Sequence, residues 1–407
     1  LTPAESPRDS LRPLSEPQRA RPTAIVALAF LAASALDLAV EGVSLPALRH
    51  AFPFYALGGF GLLIFGTSRL LVAGMAGRDV AGGRASSVLV AWLAAVGAAG
   101  PFLAPRLAWP LACAWSLAAL AHAVVTVETA ARPPSRRPLD APAAVGGASA
   151  RIGHAALDAG SVAYAFASAI AVPLAFAGRV PLPSAIHLVL LGFVVVTVMG
   201  VAARILPRFT RTTLNGAVLL TLAPFALAGP ALMTLGLAGR TDLLEAGGAI
   251  EAVAFALFAA RVVPLLARGG RARLRDAPYA LALLAVALGG SLGLAAAWRV
   301  RGASAWLAVH GALNAYGFVG LFVLGASAAL YAPAFRAGAR AARAQERSVL
   351  AAALGGLIAA AAGAAAGNDA LARLGMLALS LALLAQLAGL AATHRRAARA
   401  LRRREGS

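Results

Sequence analysis

The chain has no lysine, one cysteine and little charge: of 407 residues only 13% are charged, and all 36 basic ones are arginine. A lone Cys113 inside an apolar run cannot form an intrachain disulfide and reads as a small core residue. Neither it nor the four methionines has copper-ligand spacing. Alternating ten-residue segments are missing, which excludes a transmembrane barrel. Residues 1–22 are rich in Pro, Arg and Ser and lack the apolar centre of a secretory signal, so they are read as a disordered cytoplasmic tail.

What is abundant is apolar surface. Sixty per cent of residues are hydrophobic and the mean hydropathy is +0.79, more than a soluble protein of this length can hide. The apolar residues come in runs of about twenty, the length of helix that crosses a bilayer. Backbone in hydrocarbon must satisfy its own hydrogen bonds, so the runs are helices. The net charge of +20 invites a nucleic-acid reading. The arginines, however, punctuate the apolar runs instead of forming one patch, and nucleic acid is excluded as a partner.

The predicted class is all-α, a polytopic membrane protein with about twelve transmembrane helices. The spans are placed at 23–45, 51–76, 86–103, 108–129, 157–177, 184–206, 214–237, 244–266, 279–298, 304–331, 348–366 and 371–393. The transmembrane domain occupies 23–394, and 395–407 form a basic cytoplasmic tail. With this placement 28 of the 36 arginines fall in the two tails and the loops that follow even-numbered spans, seven fall in the other loops, and Arg69 lies within the second span. That asymmetry puts both termini in the cytoplasm. The loop at 130–156 is read as a flexible cytoplasmic link.

Three histidines occupy matching places. His50, His187 and His310 each lie near the start of an apolar stretch, the second, sixth and tenth, and each is followed by a Gly-Phe pair and then another glycine. The intervals between them, 137 and 123 residues, are about four helices each. The pattern predicts a threefold pseudo-repeat of four helices with the imidazoles toward the outer face. His187 and His310 lie eight and nine residues past Arg179 and Arg301, whereas His50 directly follows Arg49 and sits nearer the water boundary. Imidazole is rare in lipid-facing helices and ligates metals or haem iron, so three at similar depth mark a site. The bland alternative is that each makes an interhelical hydrogen bond and the glycines are packing notches. Asn314, one turn beyond His310, is a possible partner for its other ring nitrogen. Gly192, Gly200, Gly317 and Gly325 would admit a flat macrocycle or a neighbouring helix.

The fragment from His187, HLVLLGFVVVTVMGVAARILPRFTR, places Gly192, Gly200 and Arg204 at the fifth, thirteenth and seventeenth positions after the histidine. That spacing resembles the NnrS family of bacterial haem-containing membrane proteins. The run Leu206-Pro207-Arg208-Phe209 also looks like small proteins related to subunit I of the haem-copper oxidases. The match covers about 25 residues near His187, is weaker near His310 and weakest near His50. The resemblance implies twelve helices in three pseudo-repeated four-helix arcs, and b-type haem on axial histidines, His187 and His310 with His50 as a third candidate. It also implies a bacterial inner-membrane location, a role in nitric oxide tolerance or membrane electron transfer, and an electron-donor protein or quinone as partner. Arg299 and Arg301, on the outer side, are the matching candidates for haem propionates. The chain departs from the oxidases: it has six histidines in all, none adjacent to another, and no Tyr four residues after any of them. Oxygen reduction and a copper centre are therefore not expected.

The remaining polar residues divide. Arg69 and Arg204 lie at the opposite boundary and are expected to snorkel. His122 is read as a core contact, and His154 as the end of a loop. Asp37, Glu41 and Glu251 fall within outer halves of spans, where carboxyls mark either ion and proton routes or the water interface. Two other functions compete with haem binding. One is a twelve-helix secondary transporter, suggested by helix count and the loop GMAGRDVAGGR at 74–84. The other is a non-catalytic subunit of a larger membrane complex.

Overall fold

The structure is a computed structural model and describes residues 17–66, 78, 81–133, 147–210, 216–268, 277–302, 306–325 and 339–405. Twelve long helices, and no strand, make up the described residues. They are α1 (Pro17–Glu41), α2 (Leu45–Gly66), α3 (Gly83–Leu103), α4 (Ala108–Ala131), α5 (Gly147–Phe176), α6 (Leu182–His187 continuing through Thr210), α7 (Gly216–Leu237), α8 (Thr241–Arg268), α9 (Ala277–Ala297), α10 (Leu307–Gly325), α11 (Ala339–Ala366) and α12 (Asp369–Glu405). Eleven contain stretches long and apolar enough to cross a membrane, and α1 coincides with the first expected span. The chain is a multi-pass helical membrane protein.

The helices are not equally buried. Interior positions make up 78% of the apolar window in α2 and 67% in both α6 and α10, against 28–44% in the other eight. Contacts between neighbours run α11–α12–α1–α3–α4–α5–α7–α8–α9, while α2 touches α6 and α10 on the inside. The three histidine-bearing stretches are therefore the inner helices, and the others turn Leu, Val and Trp side chains outward, as Trp92, Leu117 and Leu284 do. The first and last helices are joined by Ser380, whose hydroxyl donates to the Ala32 carbonyl at 2.9 Å.

The same three helices share a backbone feature. Each switches to π-helix just after its histidine, at Pro53–Gly61, Leu188–Val195 and Leu313–Gly320. Such stretches are rare and cluster at functional sites. Each contains the Gly-Phe pair, and Phe60, Phe193 and Phe318 are all fully buried, at 1%, 0% and 1% exposure.

Three boundaries differ from the hydropathy reading. Helix α5 begins at Gly147 rather than 157, because its first turns, though polar, bury Ala150, Gly153, His154 and Leu157. Helix α12 runs on through the stretch read as a basic tail, and α1 starts inside the stretch read as an N-terminal one. Arg69, most of the 74–84 loop and residues 134–146 of the long link lie outside the described residues.

Candidate functional site: an imidazole pair between two inner helices

Local sequence sets where the histidines sit. Helix α6 opens after Pro181 with Pro183 in its first turn, which suits a residue whose missing N–H is not needed there. His187 follows one turn later and its Nδ1–H donates to the Pro183 carbonyl at 2.8 Å. On α10, His310 also comes within the first turns, and its Nδ1–H donates across to the Gly289 carbonyl of α9 at 2.7 Å. A carbonyl can only accept, so in both rings the proton is on Nδ1 and the lone pair on Nε2. Metal-ligating histidines are oriented in this way.

The two rings are neighbours. Their centroids are 6.3 Å apart and their planes 14° from parallel. Imidazoles that grip one ion from opposite sides, through bonds of about 2 Å, bring their centroids to about 6 Å. Among the described residues no cluster of three His, Cys, Asp or Glu side chains could hold a metal. Two nitrogens alone do not complete the shell of a structural zinc site, which takes four. They do suit a metal whose other ligands come from a macrocycle. The donor set thus fits haem b better than a bare ion.

Helix α9 shapes the His310 side. A Cβ on Gly293 would run into the His310 ring, and one on Gly289 would lie 2.7 Å from Asn314 Nδ2. Gly290, between them, has nothing within 4 Å. Asn314 stands beside the imidazole, its amide 3.1 Å from Nδ1 and donating to the His310 carbonyl at 2.8 Å. The orienting role considered for Asn314 is filled by the Gly289 carbonyl. This element was missed in the sequence, although Gly289-x-x-x-Gly293 is a recognisable close-approach spacing.

The other expected residues lie elsewhere. Gly192 rests against the Tyr164 ring of α5, and Gly317 against Ala285 and Leu357. Both serve helix approach, one of the two uses considered. His50 is half-exposed, 3.3 Å from an Asp37 oxygen and 4.9 Å from the Phe102 ring centroid, and no contact links it to the other two imidazoles. Arg299 and Arg301 are exposed in the turn after α9, without an ion pair to a described residue. Arg299 has φ 55, the left-handed conformation that ends a helix and favours glycine. Arg204 makes a two-pronged ion pair with Asp158 of α5 at 2.7 and 2.6 Å. His154 is not on a loop but within α5, 5% exposed. His122, also 5% exposed, packs with centroids 4.8 Å from Phe65 and 6.3 Å from Phe193, the core contact expected of it.

No protein-family model matches the chain, and no curated protein sequence matches it either. The site's meaning rests on its own chemistry.

Proposed function

We propose that the protein binds b-type haem between His187 and His310 in a bacterial inner membrane, in the manner of the NnrS and haem-copper oxidase-like proteins its sixth span resembles. The observation that carries the reading is the near-parallel imidazole pair 6.3 Å apart, each ring anchored through Nδ1 to a backbone carbonyl. In this reading the twelve helices form three four-helix arcs, each supplying one inner helix, with both termini in the cytoplasm and the histidines toward the outer face. The three π-helical stretches at equivalent places support the repeat. When bound between two imidazoles, the haem would supply a one-electron centre. The chain's own part is to hold the imidazoles in one tautomer and keep lipid and water from the iron. Nitric oxide tolerance or membrane electron transfer, with a quinone or a donor protein, is the function proposed. Protein purified from haem-replete cells is expected to show a Soret band and a b-type pyridine haemochrome at one haem per chain. Colourless protein from such cells would defeat the reading.

A further inference from the structure

Along α5, His154, Asp158, Ser161, Tyr164 and Ser168 recur at three- and four-residue spacing, so they share one helix face with Cβ atoms roughly 5–6 Å apart. That face meets α6 and its neighbours through polar groups. Asp158 holds Arg204. The Ser161 hydroxyl lies 2.5 Å from that of Thr197, which donates to the Phe193 carbonyl at 2.6 Å. The Tyr164 O–H donates to the Leu227 carbonyl of α7, its ring lying against Gly192. Ser168 is fully buried with no hydrogen bond to its Oγ, as is Ser184, three residues before His187. Since α5 and α6 run antiparallel, the stripe starts at the Arg204 end of the bundle and finishes near the turn that carries His187.

Beside its middle is Glu251 of α8, 5% exposed, its Oε2 without a hydrogen bond. The carboxyl packs on Gly229 of α7 and is within electrostatic reach of Tyr164. An ionised carboxylate with no counter-ion at that depth costs several kcal/mol; as the neutral acid it avoids that cost. Among the described residues no cation is placed to pair with it. From α5 the group facing it is Tyr164, α7 carries no titratable side chain, and α9 carries only Tyr279 at its far end. The titratable groups of α6 are His187, Arg204 and Arg208, those of α10 are His310 and Tyr316, and those of α8 itself are Asp242, Glu245, Arg261 and Arg268.

We propose that the α5–α6 stripe is a proton path from the Arg204 end of the bundle and that Glu251 is the intramembrane site where the proton is held. Each hydroxyl accepts a proton on its oxygen and releases its own to the next acceptor, with single waters bridging steps longer than a direct bond. The proton ends on the Glu251 carboxylate, which becomes the neutral acid and returns to the carboxylate on release. The stripe's destination beside His187 gains a use for haem only on the reading above, whereas the path itself does not depend on it.

Infrared spectroscopy of the full-length protein in lipid, with rapid exchange of H2O for D2O, tests the path whether or not haem is present. At neutral pH a protonated-carboxyl band is expected that Glu251→Gln removes and Glu251→Asp displaces. Its isotope shift should be slowed tenfold or more in a Ser161→Ala, Thr197→Val double variant, and Ser161→Thr should keep the wild-type rate. Absence of a Glu251-dependent band, or an unchanged exchange rate in the double variant, would overturn the proposal. A missing Soret band would touch only the haem reading.

Discussion

Replacing either His187 or His310 with alanine should strip the protein of its Soret band, while His50→Ala should leave the band in place. The contrast follows from geometry. The first two rings are neighbours, each held through Nδ1 and with no hydrogen bond from Nε2 to a described residue, whereas His50 is engaged with Asp37 and Phe102 on the flank of α2. Outer-shell substitutions around metal sites cost about 10–100-fold in affinity, and removing one of the two imidazoles that would hold the haem should exceed that. The His310 change also leaves the Gly289 carbonyl without its donor, a loss of about 1 kcal/mol. Thermal melting separates that effect from ligation. A sharper version uses His310→Gly with imidazole added to the buffer: the free ring should enter the vacated space and restore the spectrum. Loss of haem in the His50 variant alone, with both others coloured, would assign the ligand wrongly. Full colour in all three would remove the pair as the site.

Hydropathy made the helix count readable, because a span must be about twenty residues long and apolar on average, whatever its neighbours. The histidine spacing identified the three inner helices for a related reason. Polar side chains in hydrocarbon are tolerated where they face protein, so histidines at matching depth mark inward faces. The pairing within that trio was readable from depth: His187 and His310 lie eight and nine residues past Arg179 and Arg301, whereas His50 directly follows Arg49. Packing adds that the first two rings are neighbours and that His50 lies beside Asp37. The start of α5 was missed for the opposite reason: Arg151, His154 and Asp158 lower the local hydropathy, although the helix there is packed on its neighbours. With α5 cut short at 157, His154 fell on a loop, Asp158 sat at a span's edge and Arg204 had no visible partner. The polar face of α5 disappeared with it. Which residue locks the His310 ring was also hidden, since a backbone carbonyl 21 residues away leaves no trace in residue type.

Gly293→Ala is expected to be the most damaging single-methyl change in α9, and Gly290→Ala, three residues earlier, the most benign. A Cβ at Gly293 collides with the His310 imidazole, while at Gly290 it meets nothing within 4 Å. The ring has little room to yield: its Nδ1 is held by Gly289 of the same helix at 2.7 Å, and Asn314 flanks it at 3.1 Å. Accommodating the methyl group therefore means breaking that hydrogen bond or moving α9 away from α10. Overpacking of this kind costs about 1–3 kcal/mol. In the open position the same substitution removes a glycine from a helix interior and should gain up to about 1 kcal/mol. The two variants share helix and chemistry, so their difference reports the contact and not the helix propensity. Melting in detergent should rise or hold for Gly290→Ala and fall for Gly293→Ala. The absorption spectrum should change only in the latter, because the added methyl group displaces the His310 imidazole. Equal melting and equal spectra would mean that α9 does not set the ring, and the orientation of His310 would then have to come from α10 alone.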